Sequence, residues 1–211
     1  MTYSVREIYF TLQGEGARTG RPAVFLRFAG CNLWSGRERD RAGAVCRFCD
    51  TEFVGTDGPG GGKFATAGAL ADAVASHWPG GGDPYVVCTG GEPLLQLDAA
   101  LIDALHKRGF EIGVESNGTL AVPPGIDWLC ISPKGNAPLA QNCGNELKLV
   151  YPQIEDQAQP ERFENLAFDE FFLQPLDDAD RQANTQRAVE YCLAHPQWQL
   201  SLQTHKILGI D

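Results

Sequence analysis

The residues best suited to chemistry are three cysteines in one stretch, CNLWSGRERDRAGAVCRFC, at residues 31–49. Cys46 and Cys49 form a C-x2-C pair, and Cys31 precedes that pair by fourteen intervening residues. Three kinds of site fit this spacing: a zinc site that recruits a fourth ligand, a dithiol redox centre that leaves Cys31 unused, or a [4Fe–4S] cluster with one open iron. The nearest histidine is His77. The spacing alone leaves all three open.

The elements that must position these cysteines are short apolar runs, which predict buried strands. Helical segments alternate with the later runs, and this alternation predicts βαβ units and a parallel sheet. The helices are few for a closed eight-fold barrel. We therefore expect an α/β fold, a partial (open) TIM-like barrel of parallel strands, with the cysteine loop after the first barrel strand. The predicted strands lie at 23–30, 85–91, 110–118, 126–134, 146–151, 169–176 and 198–206, and the predicted helices at 66–78 (with Thr66 as N-cap), 93–109 (closed by Gly109) and 179–195.

Polar or glycine-rich residues come immediately after several of these strands. The segments are TGGEP, ESNGT, SPKGN and LQPLDD. In parallel α/β sheets the carboxyl ends of the strands face the ligand site. The sequence therefore predicts one site at that edge of the sheet, beside the cysteine loop.

Composition excludes several classes of function. The chain has 211 residues, 17 basic and 27 acidic, with a net charge of −10, whereas binding to nucleic-acid phosphates favours a basic face. The mixed charges of RERDR, at 37–41, predict a solvated loop. No apolar run is long enough to span a membrane, and the first residues do not resemble a secretory signal. We expect a single domain over residues 1–211, in the cytoplasm.

Three of the other four cysteines are predicted to be core residues rather than metal ligands. An odd total of seven, without a secretory signal, argues against a disulfide framework. Cys88 and Cys130 lie in strand-like runs and Cys192 on a helix, so all three are expected in the core. Cys143, in the segment QNCGN, is left undecided.

Motifs along nearly the whole chain resemble one enzyme family. An aromatic residue between the paired cysteines, together with GGEP, is similar to the radical S-adenosylmethionine enzymes, although their usual first spacing is three residues rather than fourteen. The branch with enlarged loops is the 7-carboxy-7-deazaguanine synthase family, to which TLQGEG and CDT are specific. The matching motifs are EIYFTLQGEG (7–16), FLRFAGCNLW (25–34), CDT (49–51), TGGEP (89–93), ESNGT (115–119), SPK (132–134), LQPL (173–176) and LQTHK (202–206).

The resemblance implies that Cys31, Cys46 and Cys49 hold a [4Fe–4S] cluster. The open iron then binds the amino and carboxylate groups of S-adenosylmethionine, and an electron through the cluster releases a 5′-deoxyadenosyl radical. Gly90, Gly91 and Glu92 are expected at the methionine amino group. The remaining expected contacts of this cofactor are Phe48, Ser132, Pro133, Lys134, Leu173, Gln174, Pro175 and Leu176.

The resemblance also implies a substrate, 6-carboxy-5,6,7,8-tetrahydropterin, and a Mg²⁺ ion. Glutamates and glutamines can accept the donor hydrogens of its aminopyrimidinone edge, and an arginine can pair with its carboxylate. The expected substrate contacts are Leu12, Gln13, Gly14, Glu15, Arg27, Thr89 and Glu115. Thr51 resembles the family's Mg²⁺ ligand, and Asp50 is a second candidate.

The implied reaction is a radical ring contraction to 7-carboxy-7-deazaguanine with loss of ammonia, which is a carbon–nitrogen lyase reaction in queuosine precursor biosynthesis. A flavodoxin-like reductase as electron donor and a homodimer are further family expectations. Two alternatives stay open: a radical S-adenosylmethionine activase that makes a glycyl radical on a partner, and a zinc-stabilised binding module.

Overall fold

Nine strands form one sheet in the computed structural model, which describes residues 2–210. The order across the sheet is β3-β1-β2-β4-β5-β6-β7-β8-β9, so its two edges are β3 and β9 and it is open. The strands are β1 (Tyr3–Leu12), β2 (Pro22–Phe28), β3 (Gly62–Phe64), β4 (Tyr85–Gly90), β5 (Glu111–Ser116), β6 (Trp128–Ile131), β7 (Cys143–Tyr151), β8 (Ala167–Pro175) and β9 (Trp198–Leu200).

The strands from β2 to β9, leaving out β3, are parallel neighbours in sequence order. This arrangement confirms the α/β class and the seven predicted strands. Two further strands were missed: β1 pairs antiparallel with β2, and β3 adds a short antiparallel edge to β1. β1 carries charged residues between its apolar ones, and three residues are too few for β3 to form a pattern.

Four α-helices accompany the sheet, and three of them match the prediction. Thr66 caps α1 by accepting from the backbone N–H of Ala69 at 3.1 Å. The second predicted helix begins later than expected, because Pro93 opens a short 3-10 turn and Asp98 then caps α2 through Leu101 N–H at 3.0 Å. The helices are α1 (Ala67–His77), α2 (Ala99–His106), α3 (Arg181–Ala194) and α4 (Thr204–Leu208).

Each strand presents alternate residues to two environments, as the pleat requires. On β2, Val24, Leu26 and Phe28 join a core that includes residues of α1 and α2. The residues between them, such as Phe25 and Arg27, line a cavity on the opposite face. The sheet therefore separates an apolar core under the helices from the face that carries the site.

The register aligns the functional side chains across the sheet. Arg27 on β2 is paired with Thr89 on β4, and Glu115 on β5 is paired with Cys130 on β6. Cys130 is in turn paired with Glu146 on β7. The register alone thus aligns residues of five neighbouring strands, β2, β4, β5, β6 and β7, in one row, without the help of a loop.

The remaining cysteines lie as follows. Cys88 and Cys130 are buried, as predicted, whereas Cys192 is half-buried at the margin of the core. Cys143, which the sequence left undecided, is the exposed first residue of β7.

Within residues 2–210, no helix combines the length and apolar character needed to cross a membrane.

Candidate functional site

Two adjoining cavities lie at the carboxyl edge of the sheet. The cysteine cavity, of about 970 Å³, is lined by Cys31, Cys46 and Cys49. The polar cavity, of about 910 Å³, is lined by Arg27 and other polar side chains. Both volumes include space at the cavity mouths that is open to solvent. The two cavities share six lining residues: Glu15, Asp50, Thr51, Thr89, Glu115 and Gln203.

The cysteine loop has an apolar support of its own. Trp34 and Phe53 pack edge to face with ring centres 5.6 Å apart, and Cys31 and Cys49 pack against this pair. The backbone N–H of Gly30 donates to Phe53 at 3.1 Å, which ties the end of the loop to the end of β2. A long loop can therefore hold its cysteines in place although it contains no strand or α-helix.

The pKa values of Cys46 and Cys49 depend on each other. A hydrogen bond from Cys46 lowers the pKa of Cys49 to about 6, and the same bond together with burial raises the pKa of Cys46. Burial also raises the pKa of Cys31. Thiolates are the metal-binding form of cysteine, so one of the three is already favoured as a ligand before any metal arrives.

Zinc and an iron–sulfur cluster place different demands on their ligands. Among residues 2–210, no three or more His, Cys, Asp or Glu side chains converge where they could hold a single metal ion. Zinc requires ligands within about 2.0–2.3 Å of one point. Cysteines that bind a [4Fe–4S] cluster need not converge in this way, because each binds a different iron. Three thiols around one cavity fit such a cluster.

The RERDR segment is exposed from Arg37 to Asp40, as predicted, whereas Arg41 anchors the cysteine loop. Most of the 3-10 helix Glu38–Gly43 is exposed, but Arg41 is half-buried. Its guanidinium lies 4.0 Å from the Trp34 ring centre and donates to the carbonyls of Arg47 at 2.8 Å and Cys49 at 3.1 Å. Arg41 thus connects three parts of the loop.

Replacing Arg41 with alanine should loosen the cluster without removing a ligand. Two hydrogen bonds and a cation–π contact are together worth about 2 kcal/mol, so we expect Arg41→Ala to lose iron about thirtyfold faster. The measurement is iron release to a chelator, followed by the loss of visible absorbance. Arg39→Ala is the matched control, because Arg39 is exposed and contacts only Asp40, at 3.6 Å. Equal rates in both variants would show that Arg41 does not support the cluster.

Glu92 lies behind the cavity wall rather than in it. Its carboxylate is fully buried and accepts from Ser116 Oγ at 2.9 Å, Asn117 N–H at 2.8 Å and Leu94 N–H at 3.0 Å. Burial raises its pKa, although these donors oppose the shift. Glu92 thus holds Ser116 and Asn117, both of which line the cysteine cavity, and its expected contact with the cofactor stays a prediction.

The glycines of TGGEP line the cysteine cavity, but packing also requires them. A Cβ on Gly90 would lie 2.3 Å from the carbonyl oxygen of Phe28, and one on Gly91 would lie 2.2 Å from that of Gly30. The φ of Gly90 is 142°, which is unfavourable for other residues. These glycines therefore allow the ends of β2 and β4 to approach, in addition to the access to a ligand predicted from the sequence.

The other residues expected at S-adenosylmethionine divide into two groups. Most of them line the cysteine cavity, and the Lys134 ammonium lies 6.0 Å from the Phe48 ring centre and donates to Ser132. Two point elsewhere: Leu173 is in the apolar core, and Pro133 is buried with its carbonyl accepting from Gln153 at 3.3 Å. The group that lines the cavity is Phe48, Ser132, Lys134, Gln174, Pro175 and Leu176.

Arg27 lies in the wall of the polar cavity, held from one side. Its Nε donates to Glu7 at 2.7 Å and a terminal nitrogen donates to Tyr9 at 2.7 Å, so both partners are on the neighbouring β1. Arg27 thus forms an ion pair with Glu7 within the sheet and also lies in the wall of the polar cavity. A guanidinium has five N–H donors, and two contacts leave others for an anion.

The remaining predicted substrate residues surround the same cavity. Gln13 donates to Glu115 Oε1 at 2.7 Å, and its own oxygen accepts from the N–H of Glu15 at 3.2 Å. Leu12, Gly14 and Thr89 also line the polar cavity. Thr51 lies in the wall of both cavities, as does Asp50, whose carboxylate is paired with Lys206 at 2.6 Å.

The site includes residues that sequence reasoning did not assign. Lys148 on β7 lies between Glu15 and Glu115, and its signal was a lone lysine between two leucines in ELKLVY. The C-terminal segment LQTHK also contributes, with Gln203, His205 and Lys206 in the polar cavity wall. This segment was predicted as part of a strand, but β9 ends at Leu200 and α4 begins at Thr204, whose N–H donates to Gly14 at 2.9 Å.

A mostly parallel open sheet with three cysteines and a polar chamber at its carboxyl edge defines a radical S-adenosylmethionine enzyme. The chain is 66% identical to 7-carboxy-7-deazaguanine synthase of Caulobacter vibrioides and 65% identical to that of Bordetella pertussis, over the full length of each pair. The chain belongs to the 7-carboxy-7-deazaguanine synthase family. The crystal structure of QueE from Escherichia coli superposes with a TM-score of 0.72 at 30% identity, covering 96% of this chain and 94% of that one. No family model matches the sequence.

Proposed function

We propose that this chain converts 6-carboxy-5,6,7,8-tetrahydropterin to 7-carboxy-7-deazaguanine by radical ring contraction with loss of ammonia. The observation that carries the proposal is the shared wall of the two cavities. Three thiols face one cavity, a guanidinium and paired carboxylates face the other, and six residues border both. A radical formed beside the cysteines can therefore reach a substrate held beside the carboxylates.

The cysteine cavity is suited to a [4Fe–4S] cluster and S-adenosylmethionine. Cys31, Cys46 and Cys49 would hold the cluster, whose chemistry is one-electron cleavage of the sulfonium of S-adenosylmethionine. Lys134 offers a cation for the carboxylate of the cofactor, while Gly90 and Gly91 leave the wall free of side chains. Leu33 and Trp34 add apolar wall on the loop side, which limits access of water to a reactive radical.

The polar cavity is suited to a pterin with a carboxylate. Arg27 is placed to pair with the carboxylate, since it lies in the wall and is held by Glu7 and Tyr9 from behind. Glu15 and Glu115 provide acceptors for the N–H groups of the aminopyrimidinone edge. The carboxylate of the substrate would thus meet the positive charge of Arg27, and its N–H groups would meet the carboxylates of Glu15 and Glu115, within one cavity.

Mg²⁺ binding at Thr51 is supported by the donors present. Asp50 is engaged by Lys206 at 2.6 Å, which disfavours it as a metal ligand, whereas Thr51 lies at the border of both cavities. Mg²⁺ prefers hard oxygens and commonly retains waters and substrate oxygens as its other ligands. A site with one hydroxyl from the protein is consistent with an ion that the substrate itself completes.

Replacing Thr51 tests the metal site. We expect Thr51→Ala to weaken activation by Mg²⁺ about tenfold, because the hydroxyl ligand is lost, and Thr51→Ser to preserve most of it. Mg²⁺ titrations of turnover, with iron content and S-adenosylmethionine binding measured alongside, check this. Identical titration curves for Thr51→Ala and the unmodified protein would remove Thr51 from the metal site.

A direct experiment separates this function from the alternatives. Anaerobically purified protein, supplied with S-adenosylmethionine, a reductant and the carboxylated pterin, should release 7-carboxy-7-deazaguanine and ammonia in equal amounts, measured by mass spectrometry. An activase would consume S-adenosylmethionine without the pterin when its partner is present, and a zinc module would be colourless. No product from protein that is brown and binds S-adenosylmethionine would exclude the synthase reaction.

Several expectations of the sequence stay predictions at this stage. They are an electron donor of the flavodoxin-like reductase type, a homodimer, a single domain over residues 1–211 and a cytoplasmic location. The substrate is a small molecule, and nothing in the proposed reaction involves nucleic acid or membranes.

A further inference from the structure

Lys148 has an unusual environment for a lysine. It lies on β7 between Leu147 and Leu149, which point into the apolar core, so the pleat turns Lys148 to the cavity face. Its side chain is 4% exposed. A cation this deep in a protein requires close partners of opposite charge.

Two carboxylates provide these partners, and both come from the predicted substrate site. The Lys148 ammonium lies 2.7 Å from Glu15 Oε2 and 3.0 Å from Glu115 Oε2. The second oxygen of Glu15 accepts from Gln203 at 3.0 Å, and that of Glu115 accepts from Gln13 at 2.7 Å. Each glutamate is thus fixed at both oxygens, and both still line the two cavities.

The charges around Lys148 favour the ionised form of Glu15. Burial opposes ionisation of Glu15, but Lys148 overrides it and lowers the pKa of Glu15 to about 2. Burial likewise disfavours the ammonium of Lys148, yet Glu115 and Glu15 raise its pKa above the ordinary value. The other titratable groups that face the cluster are Cys130 and Glu146 from the neighbouring strands, and Asp50 and His205 on the side of Glu15.

We propose that Lys148, which lies between Glu15 and Glu115, is a positioning residue for the substrate and fixes both carboxylates as paired acceptors for a donor-rich ring edge. Two neighbouring carboxylates without a cation tend to share a proton, and a protonated carboxyl then presents a donor to the N–H groups that it should accept. This proposal rests on the proposed function, because it assigns the aminopyrimidinone edge to these glutamates. It makes Lys148 a determinant of specificity without contact to the substrate.

The test measures the affinity for pterin-6-carboxylate, a stable compound with the same ring edge and carboxylate, by fluorescence titration between pH 5.5 and 8. We expect Lys148→Met to bind at least about tenfold more weakly, since a buried charge pair has lost one member. The ratio of its Kd to that of the unmodified protein should rise as the pH falls, because the shared proton is taken up in the variant. Lys148→Arg keeps the cation and should show a smaller loss that does not depend on pH.

A second substitution separates positioning from general support of the fold. Glu115→Gln combined with Lys148→Met leaves one carboxylate and no shared proton, so the pH dependence of the ratio should be weaker than in Lys148→Met although binding stays weak. If Lys148→Met does not fold, judged by iron content and circular dichroism, Lys148→Gln takes its place with the same expectation. The proposal is overturned if Lys148→Met binds the pterin within twofold of the unmodified protein. It is also overturned if the double variant shows the same pH dependence as Lys148→Met. Failure of the unmodified protein to bind the pterin would instead count against the proposed function.

Discussion

Cys31→Ala, Cys46→Ala and Cys49→Ala should each yield protein without a [4Fe–4S] cluster, a complete loss rather than a graded one. Three thiolates leave a single open iron, and removing any one leaves two ligands, which do not retain a cluster of this type. The measurements are iron and sulfide content after anaerobic reconstitution and the absorbance near about 400 nm that iron–sulfur clusters give.

Matched cysteine variants serve as controls for this result. Cys88→Ala, Cys130→Ala and Cys192→Ala should retain the cluster, because Cys88 and Cys192 are in or beside the apolar core, Cys130 is buried beside Glu146, and all three lie outside the cysteine cavity. Cys31→Ala is the most informative variant, since fourteen residues separate Cys31 from the paired cysteines. Full iron content in Cys31→Ala would overturn the assignment and favour a dithiol centre at Cys46 and Cys49.

Arg27→Ala should raise the KM for the carboxylated pterin strongly while the cluster and S-adenosylmethionine binding stay intact. Loss of one partner of a buried charge pair costs about 2–5 kcal/mol, so the expected increase in KM is about thirtyfold or more. Steady-state kinetics with varied pterin measure the effect, and iron content shows whether the cysteine cavity is preserved.

Arg21→Ala is the matched control for Arg27. Arg21 precedes β2, pairs with Glu111 at 2.5 Å and lies over the Tyr85 ring at 4.0 Å, outside the two large cavities. Its removal should leave KM within about twofold, as is usual for changes away from a site. An unchanged KM in Arg27→Ala would mean that Arg27 serves only its ion pair with Glu7.

The fold was predictable where the sequence has one dominant pattern. Continuous apolar runs identified the seven parallel strands, and Thr66 identified the start of α1, because burial on both faces and helix capping leave local signals. β1 was missed because the adjacent charged residues Arg6 and Glu7 interrupt its apolar residues. α4 was missed because its five residues show no helical period and are held by contacts to Gly14, far away in the chain.

The location of the site was more predictable than the direction in which each side chain points. The positions after strands, together with the family motifs, located the cysteines, Thr51 and the glutamates. They could not tell which side chain of a motif faces the cavity: Glu92, Pro133 and Leu173 turn into the protein. Lys148 shows the converse case, since its role follows from register and burial, which no local pattern of residue types reveals.

The contact between Gly14 and Thr204, which joins residues 190 positions apart, has a consequence for how the protein is made on the ribosome. The cysteine loop is translated early, whereas Lys148 and the segment from Gln203 to Lys206 follow much later. Domains form during translation as their segments emerge. A nascent chain can therefore present its thiols before the substrate chamber exists, so the timing of cluster delivery is separable from completion of the chamber.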